Sequence, residues 1–248
     1  MQGMKNRLER DGKKSILCLG IDPVEKNLQR YFELLESAAP HVCTVKFNYA
    51  FFSDGRFDGL KSLIAHAKEL GYFTILDGKR ADIGNTNRHY LKELEYFGAD
   101  ACTLNPYMGL DSFEGFENAY LLCRATNPGS EKIQKLKIGS NNGKYLYEHV
   151  AGMAKEKGFG LVVGALDSEA LRKTVKLGVP LLIPGIGAQG GAVKEVMSCL
   201  GSGVRGSGVL QHRLNVSRAI IYAKGEKTTI DDSLEAIKKM NKKIKVAL

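Results

Sequence analysis

Long apolar runs are absent from this sequence of 248 residues, and their absence excludes a membrane-spanning helix. The first ten residues also lack the apolar segment of a signal peptide. Cysteine is scarce. There are five cysteines, which is an odd number, and no two of them have the CxxC spacing. Four of them lie within apolar, strand-like runs, where a reduced cysteine packs as a small hydrophobic residue. We therefore expect a reduced, cytoplasmic protein that has no membrane partner.

Acidic residues are too few to balance the basic ones, and the formal net charge is +9. Much of the excess lies near the C-terminal end, in "KKMNKKIKVAL", where five lysines fall on one face of a predicted helix. Interleaved aromatic residues and a nucleic-acid recognition module are both missing. We interpret this face as solvated and predict no nucleic-acid partner. An anionic small-molecule substrate fits the positive balance equally well.

Short apolar runs rich in β-branched residues alternate with amphipathic helical segments along the chain. The strand-like runs are "SILCLGID", "HVCTVKFNYAFF", "YFTILDGK", "ACTLNPYMG", "AYLLCRATN", "GFGLVVGAL", "PLLIPGIG" and "RLNVSRAII". Near-continuous apolar strands indicate a parallel sheet covered by helices. Eight such units in about 250 residues predict an α/β protein with a closed (β/α)₈ TIM barrel. A doubly wound open sheet is the competing architecture, and the even spacing of the units favours closure.

No linker-like change of composition divides the chain. We predict one barrel domain over residues 1–248, with an N-terminal helix and a basic C-terminal helix. The longest irregular stretch is "PGSEKIQKLKIGSNNG", residues 128–143, which we expect to form an extended loop after the fifth strand.

Charged side chains collect at the predicted carboxyl ends of the first three strands. The first strand ends in Asp22. The second carries Lys46 and Asn48, and each residue of this pair faces the same side of the strand because they are two apart. The third strand carries Asp77 and Lys79 with the same spacing. In a barrel of this kind the loops at that end converge over one opening, so these side chains should meet there.

Asp82 follows at the entry to a helix that is predicted to start near Ile83. A lone acid at that place is as readily a helix cap as a functional residue. Two lysines and three acids at one opening are harder to explain as caps, since burying them requires that they pair with one another. Such an alternating array also supplies a fixed field for a substrate whose negative charge changes during the reaction.

A phosphate site is predicted beyond the seventh and eighth strands. The motif "PGIGAQGG", residues 184–191, offers glycines that let backbone amides approach an anion, and "NVSR" ends the eighth strand with Arg218. Arg205 is a rival for the phosphate role. The same letters also match G-x-G-x-x-G, but no Asp or Glu lies between Glu195 and Glu226 to hold a ribose, so we reject a dinucleotide site.

The stretch "LDGKRADIGNT" resembles the D-x-K-x-x-D-I-x-x-T signature of the orotidine 5′-phosphate decarboxylase family. Six further motifs follow the family's order between about residues 15 and 222: "LGIDP", "VKFNYAFF", "TLNPYMG", "ATNPGS", "IPGIGAQGG" and "NVSRAI". Related sugar-phosphate decarboxylases share the D-x-K-x-x-D core, whereas "PGIGAQGG" and "NVSR" add specificity. The chain is most similar to the longer-looped branch of the family.

This resemblance implies a carboxy-lyase of de novo pyrimidine synthesis that converts orotidine 5′-phosphate to uridine 5′-phosphate (UMP) and CO₂ without cofactor or metal. It also implies a homodimer with active sites at the subunit interface. The implied catalytic residues are Lys46, Asp77, Lys79 and Asp82. Asp77 would face the substrate carboxylate, and Lys79 would stabilise the carbanion at C6 and then protonate it. Lys46 and the partner subunit's Asp82 would orient Lys79 and hold the ribose hydroxyls.

The resemblance also implies a set of substrate-binding residues. They are Asp22, Asn48, Ile83, Thr86, Thr126, Pro184, Gln189 and Arg218. Within this set Ile83 and Thr86 would reach into the partner's site beside Asp82. Thr126 would meet the pyrimidine edge, and Gln189 and Arg218 would grip the phosphate.

Two other functions compete with the decarboxylase. A related barrel that acts on a sugar phosphate with bound Mg²⁺ would need an extra carboxylate near the strand ends, and no clear Glu accompanies the signature. A non-catalytic nucleotide- or RNA-binding protein that uses the basic tail would bind with a steep salt dependence and show no turnover.

Overall fold

The structure, a computed structural model, describes residues 2–139, 143–187, 193–201 and 206–247. Eight strands pair in parallel in the order of the sequence, and the eighth pairs with the first to close a barrel. They are β1 (Leu17–Ile21), β2 (Thr44–Asn48), β3 (Phe73–Arg80), β4 (Ala101–Leu104), β5 (Ala119–Arg124), β6 (Gly160–Val163), β7 (Leu181–Ile183) and β8 (Arg213–Val216). The predicted (β/α)₈ TIM barrel is confirmed, and the open doubly wound sheet is not what the chain forms.

Helices cover the outside of the barrel and one of its ends. They are α1 (Gln2–Gly12), α2 (Gln29–Ala38), α3 (Phe57–Glu69), α4 (Gly84–Phe97), α5 (Glu131–Gln134), α6 (Leu146–Lys157), α7 (Ser168–Val175), α8 (Val193–Gly201), α9 (Arg218–Ile221) and α10 (Ile230–Ala247). A ninth strand, β9 (Ala223–Glu226), is exposed and lies outside the barrel. Within the described ranges, no helix combines the length and apolarity needed to cross a membrane.

The hydrophobic core has two layers, one inside the barrel and one between the strands and the helices. The inner layer consists of Met4, Leu8, Cys18, Phe73, Ile75, Ala101, Tyr120, Val162 and Leu182. Met4 and Leu8 belong to α1, so this helix closes the barrel end from which the strands start. Both faces of the strands are therefore buried, which explains why they read as continuous apolar runs in the sequence.

The closed end, which we call the floor, contains two buried bases. Arg213 has no exposed surface, and its guanidinium donates hydrogen bonds to Thr44 Oγ1 (2.7 Å) and to the carbonyl oxygens of Leu8 (2.8 Å) and Leu210 (2.9 Å). His212 is also fully buried, and its Nδ1 accepts a hydrogen bond from the Leu181 amide at 3.1 Å. These contacts join β8 to β2, to β7 and to α1.

The segment expected as an extended loop, residues 128–143, is partly regular. A 3₁₀ turn at Pro128–Ser130 leads directly into α5, while residues 140–142 lie outside the described residues. The order comes from Arg124, a buried residue whose guanidinium donates to Ser130 Oγ (2.6 Å) and Gln134 Oε1 (3.3 Å). The same group donates to Asp167 Oδ2 at 2.8 Å, so a residue before the segment ties it to the N-terminus of α7.

Candidate active site

A cavity of about 230 Å³ opens at the carboxyl ends of the strands, the end we call the mouth. Its lining includes seven of the residues that the sequence and the family resemblance select: Asp22, Lys46, Asn48, Asp77, Lys79, Pro184 and Arg218. They come from β2, from β3 and from the segments that follow β1, β7 and β8. The structure therefore brings these seven residues together at one opening.

Asp77 is the centre of the charged array. Its carboxylate accepts hydrogen bonds from Lys46 Nζ (2.8 Å, to Oδ2) and from Lys79 Nζ (2.7 Å, to Oδ1). Asp22 Oδ1 lies 3.7 Å from Lys46 Nζ on the other side. Asp77 and Lys46 are both buried, whereas the Lys79 side chain keeps 42% of its surface exposed and borders the open part of the cavity.

Charge pairing keeps the buried members of this array ionised. Burial alone would raise the pKa of Asp77, but the ammonium groups of Lys46 and Lys79 outweigh it and hold that pKa well below its usual range. Burial would lower the pKa of Lys46, but Asp77 and Asp22 raise it above its usual range. The site therefore presents fixed charges to a ligand at neutral pH.

The backbone of Lys79 is held in a conformation that only glycine adopts freely. Its φ is +46°, and among the described residues it is the one non-glycine residue with a positive φ. The pairing of β3 with β4 shifts register between Leu76 and Arg80, so this conformation of Lys79 lies at a local irregularity near the carboxyl end of β3. Strain of this kind occurs most often where function requires a particular side-chain direction.

Thr103 on β4 holds this conformation, and the sequence reasoning did not select it. Its hydroxyl accepts a hydrogen bond from the Lys79 backbone amide at 2.9 Å and donates one to Asp77 Oδ1 at 2.8 Å. Thr103 is buried, so both bonds are shielded from water. The available signal was a hydroxyl inside the otherwise apolar run "ACTL".

Asn215 and Ser217, two members of the "NVSR" motif that the sequence did not single out, also line the cavity. Asn215 Oδ1 and Ser217 Oγ are buried and receive no hydrogen bond from any part of the chain that the structure describes. Buried polar atoms are nearly always hydrogen-bonded, so these two are available to a ligand. Asn215 lies on β8 and Ser217 directly follows the strand, and their spacing of two was the signal that could have found them.

Arg218 borders the cavity at the start of α9, directly after β8. Gln189 and Arg205, the other residues considered for a phosphate, lie outside the described residues. Of the glycine motif, Gly185 lines the cavity with a φ of +96°. A side chain at this position would be strained, which explains the glycine.

Three residues of the signature do not line this cavity. Asp82, Ile83 and Thr86 are absent from its lining, and Ile83 is 64% exposed. Asp82 does not cap α4, because its Oδ1 accepts from the amide of Ile83, the residue before the helix, at 2.7 Å. Asn87 fixes the turn by donating to the carbonyl oxygens of Asp82 and Ser112.

Arg80, the second base of "LDGKRADIGNT", is not part of the cavity. Its guanidinium makes two hydrogen bonds to Glu93 on α4, at 2.9 and 2.8 Å. The same group lies 4.0 Å from the ring centre of Tyr49 and 4.9 Å from that of Tyr90. Arg80 therefore anchors α4 to β3, which places the turn that carries Asp82.

Thr126 is half-buried beyond β5 and is likewise absent from the cavity lining. It packs closely against Gly164, where an added Cβ would lie 2.2 Å from Thr126 Cγ2. Among the described residues, no three His, Cys, Asp or Glu side chains form a group that could hold a metal ion.

Comparison with known proteins identifies the family. The model of the Orotidine 5′-phosphate decarboxylase / HUMPS family matches residues 15–232. This chain belongs to that family. An orotidine 5′-phosphate decarboxylase from Bordetella petrii is 39% identical over 240 residues, which cover 85% of this chain and 86% of the relative. One from Cupriavidus necator is 39% identical over 241 residues, with 86% of each chain covered.

Solved structures of the family have the same barrel. The OMP decarboxylase of Leishmania donovani superposes with a TM-score of 0.84 at 30% identity and covers 98% of each chain. The UMP synthase of the same organism gives a TM-score of 0.85 at 33% identity. That match covers 97% of this chain but only 55% of the longer synthase chain, so this chain corresponds to one part of the synthase.

Proposed function

We propose that this chain decarboxylates orotidine 5′-phosphate to UMP and CO₂ at the mouth cavity, as a lyase of pyrimidine synthesis. The observation that carries the proposal is the Asp77 carboxylate held between the ammonium groups of Lys46 and Lys79. Membership of the decarboxylase family and the names of the curated relatives support the same activity.

Lys79 is the group that performs the proton transfer in this proposal. When the C6–carboxylate bond breaks, CO₂ leaves and the bonding electron pair remains on C6 as a localised carbanion. An ammonium group fixed beside C6 stabilises that charge in the transition state more than in the bound substrate, which is the condition for acceleration. The ammonium then gives its proton to C6, which forms the C6–H bond of UMP, and the neutral amine regains a proton from solvent.

Asp77 and Lys46 prepare Lys79 for this step. Asp77 faces the substrate carboxylate, so the like charges repel until neutral CO₂ has formed. Lys46 shares the Asp77 carboxylate with Lys79, since the two amines bind different oxygens of the group. Asp22 and Asn48 border the same cavity and are assigned to the ribose hydroxyls together with Lys46.

The remaining contacts bind the substrate away from the reacting carbon. Arg218 is assigned to the phosphate with Gln189, and Pro184 lines the same side of the cavity. Thr126 is assigned to the pyrimidine edge. Binding energy from the phosphate is available to hold the pyrimidine in the charged array, so the loss of a phosphate contact should reduce turnover as well as affinity.

A homodimer with shared sites explains why Asp82, Ile83 and Thr86 lie outside the cavity of their own chain. Asp82 and Ile83 directly precede α4 and Thr86 lies in its first turn, and the exposed Ile83 would suit an interface. In the proposed dimer the partner subunit's Asp82 completes the Lys46–Asp77–Lys79 array. The stretch from Asp77 to Thr86 would then serve two active sites.

The activity is tested by following the loss of orotidine 5′-phosphate absorbance with the purified chain in EDTA-treated buffer. Turnover that persists after chelation supports the cofactor-free decarboxylase. Turnover that requires added Mg²⁺ would favour the metal-dependent alternative. Binding of nucleotide or RNA without turnover, weakening steeply with salt, would favour the binding protein.

The shared site is tested by mixing two inactive variants, Lys79→Ala and Asp82→Ala. In a heterodimer one site collects both lesions and the other collects none. Random exchange at equal mixing gives half heterodimers, each with one intact site, and therefore roughly a quarter of wild-type activity. Heterodimers confirmed by native mass spectrometry but without activity would place Asp82 in its own chain's site.

The cytoplasmic location and the absence of a nucleic-acid partner stay predictions.

A further inference from the structure

The residues assigned above to the ribose and to the phosphate are carried by separate segments. Asp22 lies just after β1, whereas Arg218 begins α9 after β8. α9 has four residues, and a helix of one turn has no stability of its own. The position of Arg218 must therefore be set by contacts that α9 makes with other elements.

The hydroxyl of Tyr222, the residue after α9, links the two segments. It donates a hydrogen bond to Glu25 Oε2 at 2.5 Å and accepts one from the Val24 amide at 2.9 Å. Glu25 and Val24 belong to the segment that leaves β1 after Asp22. We call the hydrogen bond between Glu25 and Tyr222 the clasp.

Neighbouring side chains fix the carboxylate of the clasp. Tyr31 donates its hydroxyl proton to Glu25 Oε1 at 2.8 Å. Arg30 donates to the same oxygen at 3.3 Å, and its other terminal nitrogen donates to the carbonyl oxygen of Ile221, the last residue of α9, at 2.6 Å. Burial would raise the pKa of Glu25, but the hydrogen bonds from Tyr222 and Tyr31 and the charge of Arg30 lower it. The acceptor therefore stays ionised, which strengthens each bond.

We propose that the clasp is a positioning device that fixes the Arg218 side of the cavity relative to the Asp22 side and so sets the affinity for phosphate-bearing ligands. The proposal rests on the decarboxylase function given above. Covalent bonds fix the distance between the ribose and the phosphate of a nucleotide, so the protein groups that bind them must be held at a matching distance. Tyr222 and Glu25 do not touch the cavity, and they act through Arg218 and Asp22.

Tyr222→Phe removes the hydroxyl and keeps the ring. We expect the dissociation constant of UMP and the KM for orotidine 5′-phosphate each to rise about tenfold, with a smaller fall in kcat. The decisive measurement is a double-mutant cycle with Arg218→Ala, read by isothermal titration with UMP. If Tyr222 acts through Arg218, the same change should alter UMP affinity by less than about twofold in the Arg218→Ala background.

Two further variants keep the test clear. Tyr72→Phe is the matched control, because it removes another buried tyrosine hydroxyl, one that donates to the Leu35 carbonyl at 2.7 Å on a part of α2 outside the cavity. It should lower the melting temperature without changing UMP affinity. Glu25→Gln retains an acceptor for Tyr222 without the charge, and it should give a smaller rise in the dissociation constant than Tyr222→Phe.

An equal loss of UMP affinity on Tyr222→Phe in both backgrounds would overturn the proposal, as would an unchanged affinity in the single variant. If Tyr222→Phe does not fold, Glu25→Gln in the same cycle gives the answer. Wild-type turnover is measured separately. A chain whose UMP affinity depends on Tyr222 through Arg218 but that does not decarboxylate would refute the proposed function alone.

Discussion

The barrel buries a cation at each end, and the two cations have different partners: carboxylates at the mouth and neutral oxygens on the floor. At the mouth, Lys46 lies 2.8 Å from one carboxylate and 3.7 Å from another. On the floor, the hydrogen bonds of Arg213 within the described residues all go to neutral oxygens, and burial lowers its pKa. A buried charge is therefore not by itself a sign of an active site. What distinguishes the mouth is that two ammonium groups, those of Lys46 and Lys79, share the Asp77 carboxylate beside an open cavity.

The comparison predicts that changes at the mouth alter activity and changes on the floor alter stability. The largest effect is expected for Lys79→Ala, which removes the stabilising cation and the proton donor together. We expect kcat/KM to fall at least about a thousandfold, or about 4 kcal/mol of transition-state stabilisation. The fold should persist, because Asp77 keeps its bonds to Lys46 and Thr103. Steady-state kinetics with a circular dichroism control will check this, and activity within about tenfold of wild type would refute the role.

Arg213→Met should have the opposite profile. It fills a similar volume but leaves the Thr44 hydroxyl and three carbonyl oxygens without their donor. We expect the free energy of unfolding to fall by about 3 kcal/mol, while kcat/KM of the folded protein stays near wild type. Urea titration gives the first quantity. An unchanged or higher unfolding free energy would mean that the cost of burying the guanidinium exceeds the value of its hydrogen bonds.

Arg218→Ala should mainly raise KM, by about ten- to a hundredfold, with a smaller loss of kcat because phosphate binding also helps to hold the substrate in place. Arg205→Ala is the comparison variant. If Arg205→Ala weakens the binding of phosphate-bearing ligands more, the phosphate role belongs to Arg205. Thermal stability should be near wild type for Arg218→Ala, in contrast to Arg213→Met.

His212 makes the floor sensitive to acid. Burial, together with the charges of Arg213 and Lys5, lowers its pKa from the ordinary 6.5 to about 3. The unfolded chain then binds a proton that the folded chain does not, so this stability is complete above pH ~6.5 and is lost as the pH falls toward 3. We expect His212→Asn to reduce the stability difference between pH 7.5 and pH 5 by about 1–2 kcal/mol. Urea titrations of both proteins at the two pH values measure it, and identical pH dependences would contradict it.

The barrel, and the charged residues on β2 and β3 at its mouth, could be predicted from patterns within short stretches of the sequence. Each strand is a continuous apolar run, and residues two apart on a strand share a face, so Lys46 could be placed beside Asn48 from the sequence alone. Lys79 meets Asp77 as the same spacing predicts, but it does so through a left-handed backbone that the sequence did not indicate. The floor could not be predicted in this way. Arg213 donates a hydrogen bond to the carbonyl oxygen of Leu8, 205 residues away, and no sequence pattern near either residue indicates this contact.

Two other features depended on tertiary contacts. The helix α5 forms in a segment that reads as a loop, because Arg124 binds Ser130 and Gln134 from the end of the preceding strand. Thr103 looks like an ordinary strand residue until its hydroxyl is seen between Asp77 and the Lys79 amide. In both cases one polar side chain makes hydrogen bonds to groups that come close together only in the folded barrel.

At Lys79, the left-handed backbone makes thermal stability and catalytic activity favour different residues. A residue with a Cβ at a φ of +46° is less stable there than glycine, typically by about 1 kcal/mol. Lys79→Gly should therefore melt at a higher temperature than Lys79→Ala, although both lack the ammonium group, and equal melting temperatures would show that the turn carries no strain. A directed-evolution screen that rewarded thermal tolerance alone would favour glycine over alanine at this position. Only a screen that also required product would retain the lysine.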